Sequence, residues 1–318
     1  MIVTVASGKG GAGKTSIAAA LVAALAPRCV GADCDVDAAN GAIALGARLV
    51  EGEASDYYAG PGFRIDQAVC MACAACVEAC RFDAIEAEAG AFDPGPGAIL
   101  GPRGYSIVVE LCERCGACLD VCPNGAIYSY EKKAGELFVS STRYGIPLVH
   151  AELFPGEDTS GKLVRAVRER AEALAQDGAT LIVDAPPGIG CPVIASLSGS
   201  DLVVVVVEAS LSGVRDAGRL LELIASMRRR SIGILNKTGL NADMDKAARA
   251  CLAASGVAIG GEILFDPSLR SAEEGGKAWN EVEGEAGERV RAALASVLRS
   301  IEELTKPKSA RDSGKELI

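Results

Sequence analysis

Eight cysteines carry the most specific chemistry in this chain. Cys70, Cys73, Cys76 and Cys80 are spaced C-x2-C-x2-C-x3-C; Cys112, Cys115, Cys118 and Cys122 repeat that spacing, with Pro123 following. Thiolates are soft ligands that suit zinc and iron–sulfur clusters alike. Zinc sites usually pair two C-x2-C arms, whereas four cysteines at 2-2-3 spacing suit a cluster. A second chemistry lies at the start of the chain. Residues 8–15, GKGGAGKT, fit G-x-x-x-x-G-K-[ST], follow the apolar run MIVTVAS and precede a helix-like run from Thr15 to Leu25. Glycines there let backbone N–H groups converge on phosphate oxygens, and the following helix adds its positive end.

That loop assigns roles by residue type. Gly8, Lys9, Gly10, Gly11, Ala12, Gly13, Lys14, Thr15 and Ser16 are the expected nucleotide-binding residues. Lys14 is expected to reach the β- and γ-phosphates, and the Thr15 hydroxyl to bind Mg2+. Asp184, in DAPPG at the end of an apolar run, is placed to hold Mg2+ directly or through water. The stretch ADCDVDAAN (32–40) supplies acids at every second position, one of which would orient the water attacking the γ-phosphate. His150, the only histidine, lies elsewhere in the chain and is expected to be structural.

These residues need elements to hold them. MIVTVAS, CVGADCD, GIPLVHAEL, TLIVDAP, 202–207, SIGILNK and VAIGGEILF read as strands. Thr15–Leu25, 159–176, 211–228, 243–255 and 284–304 read as helices. Residues 36 to about 60 read as irregular. Strands alternating with helices imply an α/β fold with a doubly wound, mostly parallel sheet of the P-loop NTPase type. The cysteine-rich segment interrupts it as an inserted α+β, ferredoxin-like domain. The expected order is a first ATPase part over 1–60, the insertion over 61–133, a second ATPase part over 134–305 and a loose tail over 306–318.

Bulk properties narrow the function. The 318 residues carry a net charge of −10, which argues against a broad attraction to nucleic acid. No run is long and apolar enough to span a bilayer, and the first apolar run leads directly into the glycine loop. The chain reads as cytoplasmic, where clustered cysteines point to metal, not to disulfides. The final helix lacks the strongly basic and large apolar faces of a membrane anchor, so packing against the sheet is expected.

KGGAGKT with Lys9, DCDVD, DAPPGIG and ILNK together resemble the MinD/ParA/Mrp group of P-loop ATPases, with their deviant Walker A loop. The resemblance covers residues 1–50 and 140–265. It implies that Lys9 reaches across a dimer interface to the other subunit's nucleotide, comparable to an arginine finger. It also implies that Asp35 orients the water, that Asp33 lies near Mg2+ and that Asn236 reads the adenine edge. The cofactors would be ATP or ADP and Mg2+, and the assembly a homodimer or a heterodimer with a paralogous ATPase.

The cysteine runs are similar to two-cluster bacterial ferredoxins, in which the fourth cysteine of each run ligates the other cluster. That implies two [4Fe-4S] clusters, one on Cys70, Cys73, Cys76 and Cys122, the other on Cys112, Cys115, Cys118 and Cys80. Arg81 stands where ferredoxins have proline. The whole is similar to MinD-like ATPases with such an inserted domain. It implies an ATPase that couples nucleotide-driven rearrangement of a dimer to electron transfer with a redox partner. Alternatives are an Mrp-like carrier delivering a metal cluster to a partner, and a ParA/MinD-like positioning ATPase. Of the remaining cysteines, Cys29 and Cys251 read as core residues and Cys34 as a poor thiolate between two acids. Cys191 is a candidate for a bridging cluster that lacks a clear second cysteine.

Overall fold

The computed structural model describes residues 1–88, 104–157, 160–175 and 178–305; the tail expected over 306–318 lies outside them. They divide into two compact units. One is Met1–Ser55, Glu136–Leu153 and Asp158–Ile318; the other is Asp56–Gly135 with Phe154–Glu157.

Parallel strands form the heart of the first unit. They are β1 (Ile2–Ala6), β2 (Cys29–Asp33), β7 (Pro147–Leu153), β8 (Thr180–Asp184), β9 (Leu202–Glu208), β10 (Ser231–Thr238) and β11 (Ala258–Leu264). With β3 (Arg48–Ile65) and β6 (Ile127–Ser141), the sheet order is β11-β10-β9-β1-β8-β2-β7-β6-β3. β1 pairs in parallel with both β8 and β9, and β2 with β8 and β7. Strands buried on both faces can be apolar throughout, and the valine run of β9 is buried along almost its whole length. Parallel pairing also brings the C-terminal ends of neighbouring strands to one edge, where ligands bind in such folds.

Helices cover the faces. α1 (Lys14–Leu25), α5 (Gly161–Leu174), α6 (Cys191–Leu197), α7 (Leu211–Ser226) and α8 (Ala242–Ala254) follow strands in turn. α9 (Pro267–Glu274) follows β11. The last helix, α10 (Gly284–Thr305), packs on β11, burying Val290, Ala293, Leu294, Val297 and Ile301. Gly261 makes that contact possible, since a Cβ there would lie 2.4 Å from the Ala293 Cβ.

One expectation fails. Residues 48–60 belong to the long strand β3, not to an irregular stretch. The sequence GEASDYYAGPG has neither strict alternation nor an apolar run, and most of its residues are exposed. Its strand state comes from pairing in the sheet, which a local reading cannot register.

The second unit holds the short pair β4 (Ile85–Ala87) and β5 (Tyr105–Ile107), antiparallel to each other. It also holds two five-residue helices, α3 (Ala75–Ala79) and α4 (Ala117–Val121), one within each cysteine run. Its main buried cluster among the described residues is small: Phe63, Cys76, Ile85 and Ile127, with Tyr105 and seven cysteine or aliphatic side chains partly buried against them, among them Cys80, Cys112, Cys118 and Cys122.

Candidate functional site

The glycine loop connects β1 to α1 along the C-terminal edge of the parallel strands. Gly13 caps the helix at φ 96°, a left-handed conformation, and a Cβ there would lie 2.4 Å from the Asn236 amide. Lys14 and Thr15 therefore start the helix with their side chains among the acids of the adjacent strand ends. The Lys14 ammonium is buried and bonds the Asp35 carboxylate at 3.2 Å. The Thr15 hydroxyl donates to Asp184 at 2.5 Å. Asp184 ends β8 and Asp33 ends β2, opposite each other in register.

Three buried carboxylates thus share one small region with one buried ammonium. Burial raises the Asp33 carboxyl well above the usual range, and the Asp184 charge raises it further. Burial likewise raises Asp184, against the attraction of Lys14. Asp35 is raised by burial too, with Lys14 opposing. Asp33 accepts from the backbone N–H of Asp35 and of Gly41, so both its oxygens are occupied. One oxygen of Asp184, Oδ1, is buried with no hydrogen-bond partner among the described residues. An excess of buried acid and an orphaned carboxylate oxygen fit a divalent cation held by Thr15 and Asp184.

A cavity of about 810 Å3 opens above this edge. Gly10, Gly11, Lys14 and Thr15 line one part of it and Asn236, Phe265 and Trp279 another. Asn236 lines it while donating to the Ala12 carbonyl at 2.8 Å. Its amide N–H group, expected on an adenine edge, holds the loop here. Lys9 does not line the cavity: its ammonium bonds Glu208 at 2.8 Å and Ser212 at 3.3 Å within the same chain. Glu208 also binds Lys237, which donates to the Gly11 carbonyl. Burial pushes Glu208 up, but these two ammonium groups outweigh it and hold the carboxyl below its ordinary range.

Glu208 and Lys237 were missed in the sequence, although Lys237 directly follows Asn236 in ILNK. Ser16 and Glu273 were not paired there either; the Ser16 hydroxyl donates to the Glu273 carboxylate at 2.9 Å. Partners about 200 residues apart leave no local signal.

In the second unit the cysteines gather around two hollows. Cys70, Cys73, Cys76 and Cys122 line one; Cys112, Cys115, Cys118 and Cys80 line the other. Each is small, about 20 Å3. No three metal-ligating side chains converge on a single point among the described residues.

The backbone repeats as well. The first run has positive φ at Ala72, Ala74 and Asp83, which are two, four and thirteen residues after Cys70. The second has it at Arg114, Gly116 and Gly125, at the same offsets from Cys112. Left-handed conformations at alanine and arginine cost about 1 kcal/mol each and persist where surroundings impose them. The Ala126 N–H donates to the Cys122 sulfur at 3.3 Å. Backbone N–H groups there outweigh burial and lower the Cys122 thiol. Burial, then the neighbouring cysteines, raise Cys76 and Cys118.

None of the twelve cysteines is in a disulfide. Cys29 and Cys34 are buried and burial raises both thiols, that of Cys34 further through Asp33. Cys251 is half-buried against Val214, and Cys191 is exposed at the first turn of α6. His150 is buried, bonded to Ser140 at 2.9 Å and stacked on Phe138.

Residues 3–279 match the family described as "CobQ/CobB/MinD/ParA nucleotide binding domain". An uncharacterized protein of Methanocaldococcus jannaschii is 33% identical over 246 residues, 76% of this chain and 79% of that protein. Among solved structures, the septum site-determining protein MinD of Pyrococcus horikoshii, complexed with Mg-ADP, has TM-score 0.58 at 16% identity, covering 96% of this chain and 99% of that one. The MinD cell division protein of Aquifex aeolicus has TM-score 0.52 at 19% identity, covering 94% and 97%. A ParA family ATPase of Chlorobium tepidum has TM-score 0.52 at 16% identity, covering 92% and 98%. At such identities the likeness is one of fold. Among the described residues no helix is long and apolar enough to cross a membrane.

Proposed function

Because the chain belongs to the CobQ/CobB/MinD/ParA family of nucleotide-binding domains, we propose that it binds and hydrolyses ATP and couples that cycle to electron transfer through two four-iron clusters. The observation that carries this reading is the composition of the two hollows. Each is lined by three cysteines of one run and the fourth cysteine of the other, the crossed pattern of two-cluster ferredoxins. When bound, each cluster supplies one reversible electron. Its expected ligands are Cys70, Cys73, Cys76 and Cys122 in the first site, and Cys80, Cys112, Cys115 and Cys118 in the second.

The nucleotide roles follow from what each side chain now touches. Lys14, buried beside Asp35, is the cation available to the β- and γ-phosphates. When phosphate takes Lys14, Asp35 is released to orient the attacking water. Thr15 and Asp184 would hold the magnesium ion, with Asp33 beside them. Bound, that ion offsets the charge of the phosphates and of the buried acids. Lys9 would leave Glu208 and Ser212 to serve the nucleotide of a second subunit, a like chain or a paralogue. Such closure in trans is the step through which hydrolysis would reach a redox partner.

A positioning ATPase fits the same fold, but leaves the paired cysteine hollows without a purpose. A carrier of metal clusters would use the exposed Cys191 at a dimer interface, and predicts iron that chelators remove readily.

Anaerobic purification tests the reading. The protein is expected to be brown, with about eight iron and eight sulfide per chain. Cys122→Ser and Cys73→Ser are expected to leave about four iron each, and about four when combined. Cys122→Ser combined with Cys115→Ser leaves almost none. Colourless protein containing zinc would overturn the reading; the opposite pairing of losses would overturn the crossed assignment.

A further inference from the structure

The two hollows are not equivalent, and the difference centres on Arg114. It lies between Cys112 and Cys115, in the left-handed conformation, and lines the second hollow. At the matching place in the first run stands Ala72. Glu113 lines the second hollow beside Arg114, where the first run has Met71, so charged side chains accompany one site and not the other. Arg114 is paired with Glu157, as is Lys132. The Glu157 side chain is only 5% exposed, so its charge depends on these two cations.

Glu157 comes from neither cysteine run. It ends the segment Phe154–Glu157, which follows β7 in the chain and belongs to the second unit. Backbone bonds from Phe154 N–H to Ala134 and from Glu157 N–H to Phe154 fix this segment, at 2.9 and 3.1 Å. The Lys133 ammonium stands 5.4 Å from the centre of the Phe154 ring. The carboxylate is thus delivered to a site whose cations are already in place. Within this trio Glu157 offsets one of the two cations, and Glu113 also lines the hollow; without Glu157 the local charge would become more positive.

We infer that Glu157 is a positioning residue for the second cysteine site: by pairing with Arg114 and Lys132 it sets the charge felt at Cys80, Cys112, Cys115 and Cys118, and so the reduction potential there. This deepens the cluster reading and rests on it. Accepting an electron adds negative charge, which an unneutralised cation favours. Glu157 holds the second potential down.

The test is a redox titration of the full-length, anaerobic protein followed by electron paramagnetic resonance, with iron counted for every variant. Cys122→Ser, which lacks the first site, assigns the signals. Glu157→Gln is expected to raise the second potential alone, by about a tenfold change in the reduced-to-oxidised ratio, about 59 mV for one electron. Arg114→Gln is expected to lower it, and Glu157→Asp to retain the original value. Full iron with unaltered potentials in both Glu157→Gln and Arg114→Gln overturns the inference. Should Glu157→Gln lose iron, Arg114→Gln decides: a lowered potential supports the inference and an unchanged one overturns it. Original protein without iron would instead refute the cluster reading itself.

Discussion

The nucleotide edge and the cysteine unit hold their functional groups by opposite means. At the nucleotide edge most reactive side chains already have a partner: Lys14 has Asp35, Thr15 has Asp184, and Lys9 has Glu208. Beneath them lies a large apolar core shared by β1, β8, β9 and their helices. The cysteine unit has, among the described residues, a small core clustered on Phe63, Cys76, Ile85 and Ile127, and a backbone bent into left-handed conformations at Ala72, Ala74, Asp83 and Arg114. Small domains with so little core rely on metal or covalent staples. The first site rests on a large core; on the proposed reading, the second would draw much of its stability from bound clusters.

That contrast can be broken most directly by removing iron. Chelation under reducing conditions is expected to abolish the order of the whole second unit, since ligand binding and folding are coupled there. Proteolysis is then expected to cut within residues 56–135, while nucleotide binding by the first unit survives. Equal resistance of both units to protease after iron loss would end the contrast.

The next largest effect is expected at Lys14. Lys14→Ala removes the buried cation proposed for the phosphates and leaves Asp35 without that partner. ATP affinity is expected to fall a hundredfold or more, about 3 kcal/mol, while the iron content stays unchanged. Calorimetric titration and an iron count measure the two sides independently.

A smaller and pH-dependent effect sharpens the account of the buried acids. The folded pKa of Asp184 lies above its unfolded value, so its ionisation costs stability as pH rises through that interval. Asp184→Asn is therefore expected to stabilise the nucleotide-free protein at pH 8, by about 1–3 kcal/mol. The gain is expected to shrink as pH falls from about 6 towards 3.8, and to be gone below that, where the carboxyl is protonated in both states. Stabilisation by Mg2+ and nucleotide is expected to be lost in the same variant. Thermal melts across pH, with and without Mg-ATP, would show an unchanged or lowered melting point at pH 8 if burial of that charge is not costly.

The smallest effect concerns strain. Ala74→Gly relieves a φ of 63° at a position where the second run has Gly116. A gain of up to about 1 kcal/mol in the iron-loaded protein is expected, offset in part by the greater freedom of glycine when unfolded. Denaturant melts would detect it, and a clear loss would mean the Ala74 methyl group makes contacts that matter more than its strain.

Much of this was legible locally. A phosphate loop is one contiguous stretch, and its glycines, lysine and threonine announce their chemistry by order alone. The same holds for the two cysteine runs, whose helices and turns repeat because the residues repeat. The alternation of apolar runs with Ala- and Leu-rich helices was enough for a parallel sheet, and Asp184 and Asp33 could be read as strand ends. Strand β3 could not, because its exposed, irregular sequence becomes extended only through pairing in the sheet. Nor could the partners of the charged residues. Lys9 with Glu208, Ser16 with Glu273, and Arg114 with Glu157 join positions 199, 257 and 43 residues apart. Sequence by itself determined which groups are present and which local turns they favour, since those depend on neighbours along the chain. Only the tertiary structure decided which charge each group meets and how deeply it is buried, because both depend on neighbours in space.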